Sequence, residues 1–240
     1  MEIVSVCMAT YNGEKYIYQQ AKSILDQLSP NDELIVSDDG STDGTLKVLE
    51  DFNDYRIKIY KNTGMKGPVG NFQNGLAYVT GDYIFLADQD DIWFDTKIKT
   101  MVALLKEYDL VICDCSIVDD SLNVIKPSYF EHANSGAGFL KNFKRNTYMG
   151  NCMGFRKKML PLILPFPPAI PNHDLWIGVV ADLFYKPYFL KEVLGMHRRH
   201  EKNASNTFDV KIKTSFWQKI NKRVLVGRAL PKLLAKKLRN

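Results

Sequence analysis

Three carboxylates in four positions, Asp88, Asp90 and Asp91, follow the apolar run 83–87 and precede Ile92 and Trp93. A second acidic group follows the run 33–37, in Asp38-Asp39-Gly40-Ser41-Thr42-Asp43-Gly44. Both runs read as short buried strands. In a parallel α/β sheet, ligands bind outside the carboxyl ends of the strands. Carboxylates crowded there repel one another and any anion unless a cation joins them. The pattern points to a divalent metal held between protein and phosphate. Mg2+ or Mn2+ suits this role, because both prefer oxygen ligands and Mg2+ commonly takes one or two carboxylates plus substrate phosphates.

A third loop, Ala9-Thr10-Tyr11-Asn12-Gly13-Glu14, ends the strand-like run 3–9. A nucleotide base needs a flat apolar contact and a few hydrogen-bond partners. Tyr11 offers the ring, and the Thr10 backbone and Asp38 offer the polar contacts. A carboxylate accepts from the N3–H that uracil and thymine share, so this contact does not separate them. Asn12, Glu14 and Asp39 complete the set expected around the nucleotide. The plainer alternative is that residues 10–13 turn the chain and Asn12 caps the next helix. No G-x-G-x-x-G follows the first strand and no Walker motif occurs, which disfavours dinucleotide binding and a glycine-loop phosphate cradle.

Such loops need a scaffold that brings strand ends to one edge. The first half of the 240 residues alternates strand and helix signals. Strands are expected at 3–9, 33–37, 56–60, 83–87 and 110–115. Helices are expected at 14–28, from a Ser41 or Thr42 cap to about 53, at 71–79 and at 96–108. This rhythm predicts an α/β fold with a mostly parallel central sheet flanked by helices. The second half is less regular. Turn signals with a strand or hairpin fill 116–146, and five prolines predict a loop at 160–171. A helix at 174–183 and a strand at 188–193 follow.

The three motifs, in this order and spacing, resemble the family 2 glycosyltransferases. The resemblance is strong over 3–114 and continues more weakly to about 205. The form Asp88-Gln89-Asp90-Asp91-Ile92-Trp93 is similar to rhamnosyltransferase-like members. The resemblance implies a single nucleotide-sugar-binding domain of the GT-A type and inverting transfer of a sugar, rhamnose in the favoured case, from a UDP- or dTDP-sugar. The acceptor it implies is a hydroxyl of a growing surface glycan, lipid-linked in the expected case. By position, Asp38 resembles the family's base-reading carboxylate and Asp88-Gln89-Asp90 its D-x-D motif. Asp90 is then the direct metal ligand, and Asp88 lies nearer the ribose or the metal.

Inversion in one displacement needs a base beside the acceptor hydroxyl. Asp174, in Asn172-His173-Asp174-Leu175-Trp176, is the candidate; its plainer role is as an N-terminal helix residue. Asp91, Trp93, Gly150, Asn151, His173 and Trp176 are candidates for lining the donor and acceptor sugars. His197-Arg198-Arg199-His200, followed by Asn203-Ala204-Ser205, resembles a late family segment. There Arg198 is a candidate for the diphosphate, and His200 for a metal or phosphate contact.

The net charge of +5 hides an asymmetry. Residues 210–240 hold seven Lys, three Arg and no acid, which leaves −5 on the first 209. One domain is therefore expected at 1–209, with a nucleotide-binding half at 1–115 and an acceptor-binding half at 116–209. The tail at 210–240 is basic and amphipathic, with Pro231 interrupting it. It suits either an anionic membrane surface or packing on the domain. No nucleic-acid motif accompanies it. Cys7, Cys113, Cys115 and Cys152 match no zinc or disulfide pattern and suit a reducing cytoplasm. No apolar run spans a membrane and no cleaved signal is evident. The expected location is cytoplasmic, with peripheral association at the inner face of the cell membrane left open. Two other classes remain. A sugar-nucleotide-forming nucleotidyltransferase needs a Gly-rich basic loop that 10–14 lacks, and a non-catalytic binding module would not need complete carboxylate motifs.

Overall fold

The computed structural model describes residues 2–168, 170–201, 203 and 216–239, with the backbone alone for 216–222. The first half builds β1 (Val4–Thr10), α1 (Glu14–Leu25), β2 (Glu33–Asp38), α2 (Thr45–Glu50), β3 (Ile57–Lys61), α3 (Pro68–Leu76), β4 (Tyr83–Asp88), β5 (Ile92–Trp93) and α4 (Lys97–Leu105). β1 and β2 are buried almost throughout, as strands covered on both faces must be. α1 turns Ile17, Ala21, Ile24 and Leu25 inward, a helical spacing that needs one apolar stripe. Two expected caps are absent. α2 starts after Gly44 with no side-chain cap bond, and Asn12 does not cap α1.

The second half adds β6 (Leu110–Val118), β7 (Val124–Lys126), α5 (Tyr129–Ala133), α6 (Phe139–Lys144), β8 (Met153–Arg156), α7 (Leu160–Ile163), α8 (His173–Phe184), β9 (Pro187–Arg198) and α9 (Phe216–Arg239). α7 corrects the expectation of a plain loop. Pro161 stands in its first turn, where its missing N–H leaves no bond unmade.

The sheet order is β3-β2-β1-β4-β8-β6-β9-β5, with β7 paired to β6. β3, β2, β1 and β4 are parallel, as are β6 and β9. β8 runs antiparallel between β4 and β6, and β5 and β7 are also antiparallel, so the sheet as a whole is mixed. The chain builds outward from β1 to β2 and β3, then returns to place β4 on the other side of β1. That reversal makes a crevice at the carboxyl ends of β1 and β4, the place where open α/β sheets bind ligands.

α9 continues through the exposed Pro231 rather than breaking there. Val226, Ala229 and Leu233 are buried, and Val226 packs with Leu175 and Val179 of α8. Part of the described apolar surface of the tail therefore faces the domain, whereas Val224, Leu234 and Leu238 are exposed. Phe216, Trp217 and Ile220, as side chains, and the boundary at 209 lie outside the described residues. Among the described residues, no helix is long and apolar enough to cross a membrane. All four cysteines are free and buried.

Candidate active site

Strand register gathers the three loops. Thr10 pairs with Asp38 on one side of β1, and Ala9 with Asp88 on the other. Asp38 and Asp88 thus lie two strand spacings apart, about 10 Å.

On the β2 side the polar groups build the cradle itself. Asp38 is buried; its carboxylate accepts from the N–H groups of Gly40 and Ser41, both at 2.9 Å, and from the Thr10 hydroxyl at 3.1 Å. Asp39 accepts from Asn62 Nδ2 at 2.8 Å and from Gly67 N–H at 2.7 Å. Asn12, at φ 48°, accepts from Thr42 N–H at 2.8 Å, and Glu14 from Gly44 N–H at 3.0 Å. The Thr10 carbonyl already accepts from Asn71 and from Asp39 N–H. What this side presents outward is the Tyr11 ring, 55% exposed.

On the β4 side the three carboxylates have three environments. Asp91 is buried and accepts from His197 Nδ1 and Arg198 N–H, both at 3.0 Å, and from Asn151 Nδ2. Burial pushes its carboxyl up, but the His197 charge and these hydrogen bonds outweigh it and hold it below the usual range. Burial lowers the His197 imidazole, and Asp91 more than reverses that. Asp91 therefore ties β9 to the acidic loop. Asp90 accepts from His200 Nε2 at 2.8 Å and Asn203 Nδ2 at 3.1 Å. Asp88 is half-buried and accepts no hydrogen bond among the described residues. Burial, then the charges of Asp91 and Asp90, push its carboxyl up to about 8, and Asp174 adds to the effect.

The carboxyl of Asp88 keeps its proton in the fold up to about pH 8 and loses it near pH 4 when unfolded. Stability from this group is full below the unfolded value and is lost as pH rises through the folded one. Cation-free protein should therefore lose stability between pH 5 and pH 8. Asp88→Asn should remove that slope and raise the melting temperature at pH 8 by about 2–4 °C per kcal/mol recovered. Mn2+ should stabilise the wild type more at pH 8 than at pH 5, since cation and proton compete for one carboxylate. Thermal melts at both pH values, with and without Mn2+, test this. Equal shifts at both would count against it.

A hard divalent cation fits these side chains. Asp90 and His200 already meet, Asp88 accepts no hydrogen bond among the described residues, and burial disfavours the Asp88 charge. Among the described residues, no three His, Cys, Asp or Glu side chains form a full metal cage. One or two protein ligands completed by phosphate oxygens match the habit of Mg2+.

The other candidates sort by contact. Arg198 is buried, donates from Nε to the Asp90 carbonyl at 2.9 Å and from Nη2 to Gln19 at 2.7 Å, and packs over the Tyr16 ring. It clamps the acidic loop. His200 stacks on Tyr16 at 4.6 Å. Trp93 and Trp176 are core, the latter donating to the Ile163 carbonyl at 3.1 Å. Asn151 is buried and bonds Asp91. Gly150 leaves room for His173, whose Nε2 would lie 2.6 Å from a Cβ at that position. His173 tilts over Phe72 with that nitrogen buried and without a hydrogen-bond partner; burial pushes its pKa down to about 3, so it is neutral. Asp174, in the first turn of α8, accepts from Leu175 N–H at 2.6 Å. Ala204 and Ser205 lie outside the described residues.

Sequence reasoning passed over four contributors. Tyr16 supports His200 and Arg198, and Asn203 supports Asp90. Lys97 is buried and holds the Asn151 carbonyl at 2.7 Å. Gln89 bonds both backbone groups of Tyr11. Gln89, between two motif carboxylates, and Asn203, in the late segment that resembles the family, stood in motifs without being given a role; Tyr16 and Lys97 carried no such signal.

The sequence profile described as Glycosyl transferase family 2 matches residues 5–163, two thirds of the chain and all three acidic and nucleotide loops. The chain belongs to glycosyl transferase family 2. It is 40% identical over 190 residues to the Escherichia coli UDP-Glc:alpha-D-GlcNAc-diphosphoundecaprenol beta-1,3-glucosyltransferase WfgD, covering 75% of this chain and 70% of that one. It is 42% identical over 105 residues to the Shigella flexneri dTDP-rhamnosyl transferase RfbG, covering 41% of this chain and 36% of that one. S. aureus TarS 1-349 in complex with UDP-GlcNAc superposes with a TM-score of 0.71 at 21% identity, over 94% of this chain and 66% of that one. The protein is thus a glycosyltransferase with the GT-A-like α/β fold expected from its motifs.

Proposed function

We propose that this glycosyltransferase moves a hexosyl residue, with inversion, from a UDP-sugar to a hydroxyl of a lipid-diphosphate-linked glycan. The observation that carries this reading is the Asp88 carboxylate, which accepts no hydrogen bond among the described residues, beside the Asp90–His200 pair at the β1/β4 crevice. Asp90 and His200 would hold Mg2+ or Mn2+, with Asp88 facing the ribose or the cation. The bound cation would supply Lewis-acid stabilisation of the charge that grows on the departing diphosphate. The Tyr11 ring would stack on the base, over a cradle fixed by Asp38 and Asp39. Asp174 would take the proton of the acceptor hydroxyl as its oxygen bonds the anomeric carbon and the bond from that carbon to the diphosphate breaks. Arg228, Lys232 and Arg239, exposed on α9, would meet anionic lipid around such an acceptor.

UDP-glucose is the first donor to test. The relative that uses it matches 75% of the chain, including much of the acceptor half. The rhamnosyl relative matches 41%, which keeps dTDP-rhamnose as the second reading. The experiment is a transfer assay with UDP-glucose, UDP-GlcNAc, dTDP-rhamnose and GDP-mannose on a short-chain GlcNAc-diphospholipid, with and without Mn2+. Mn2+-dependent turnover of UDP-glucose is expected. Turnover of none of the four, with no binding of their nucleotides, would remove the proposal.

A further inference from the structure

The middle residue of Asp88-Gln89-Asp90 joins two parts of the site. Backbone pairing of β1 with β4 ends at Ala9 and Asp88. Beyond that point the Gln89 side chain continues the ladder. Its Oε1 accepts from Tyr11 N–H at 2.8 Å, and its Nε2 donates to the Tyr11 carbonyl at 3.0 Å. One amide so satisfies both backbone groups of the residue whose ring stands exposed. On the opposite side the same loop is held through Asn12 N–H to Ser41 Oγ at 2.9 Å and Gly13 N–H to Thr45 Oγ1 at 2.7 Å. Gly13 makes room for the clasp, since a Cβ there would stand 2.2 Å from Gln89 Oε1.

We propose that Gln89 is a positioning residue that couples base recognition at Tyr11 to cation binding at Asp90 and His200. This rests on the donor reading above. The backbone of Gln89 lies between Asp88 and Asp90, so a cation that orders their loop also orders the amide that holds Tyr11. The entropy of fixing the two loops is then lost once rather than twice. The first ligand lowers the ordering cost of the second. The effect is reciprocal, as any binding linkage must be.

Uridine separates this route from direct contact, because it carries no phosphate for a cation to touch. Any effect of Mn2+ on uridine affinity must travel through the protein. In calorimetric titrations of the wild type, saturating Mn2+ should tighten uridine about fivefold, the lower end of ordinary allosteric coupling. In Gln89→Ala that factor should fall below about 1.5, with UDP still bound in Mn2+. Gly13→Ala should do the same by displacing the amide. Its φ of −108° is ordinary for alanine, so the effect is steric. The double variant Gly13→Ala/Gln89→Ala should lose no more than Gln89→Ala, since both act on one clasp. A wild-type factor near one, or an undiminished factor in Gln89→Ala, overturns the coupling. Mn2+-dependent UDP binding with uridine indifferent to Mn2+ overturns it alone. Absence of binding by both UDP and uridine overturns it together with the donor reading.

Discussion

Asp90→Asn should lower kcat/KM by about a thousandfold or more while leaving a folded protein. The expected loss is about 4 kcal/mol of transition-state stabilisation. The fold should survive because asparagine keeps the shape and one acceptor oxygen. The His200 and Asn203 contacts, at 2.8 and 3.1 Å, go to one and the same carboxylate oxygen, so both can persist on the amide oxygen. The loop has further anchors, in Arg198 Nε on the Asp90 carbonyl and in the Asp91 contacts to β9. Removing the charge also removes one of the influences that raise Asp88. The cation-free variant should melt no lower than the wild type. What asparagine does not replace is an anionic oxygen for a hard cation. Rate assays in Mn2+, thermal melts and a Mn2+ titration read the three consequences. Turnover within tenfold of wild type would defeat the assignment of Asp90.

Apart from the two-residue β5, which was not expected, the strand and helix order of the first half was readable because most of its elements are short, buried and periodic. β1, β2 and β4 end where apolar residues give way to Thr10, Asp38 and Asp88. Those ends fix the site at the sheet edge. The antiparallel β8 was not readable: Met153–Arg156 is four residues long, and its pairing with β4 and β6 is a long-range contact that no local period encodes. α7 was hidden by its proline, a residue that excludes helix interiors but not first turns.

Within the candidate site, residue type alone does not divide the labour among the carboxylates. Asp38, Asp39, Asp90 and Asp91 share one side chain, yet Asp38 and Asp39 organise glycine-rich turns and Asp91 binds β9. Arg198 is a diphosphate candidate from its place in a segment that resembles the family, and in the fold its guanidinium reaches two carbonyls, Gln19 and a tyrosine face. Such divisions depend on which donors the fold delivers to each oxygen, and those donors come from residues up to 113 positions away, as Asn203 does to Asp90. Trp93 and Trp176 were ambiguous for a related reason. An aromatic side chain suits a sugar face and a core equally, and burial decided for the core.

Asp174→Asn should lower kcat by roughly 10²–10⁴ with little change in UDP affinity, the range that a positioned general base contributes. The substitution is nearly silent for the fold. Asparagine can still accept from Leu175 N–H, and it remains a polar residue in the first turn of α8. It cannot accept the hydroxyl proton. The decisive pair of measurements is kcat for transfer and the dissociation constant of UDP in Mn2+. A selective loss of kcat identifies the base. Parallel loss of both would assign Asp174 to donor binding instead, and an unchanged kcat would remove it from the reaction.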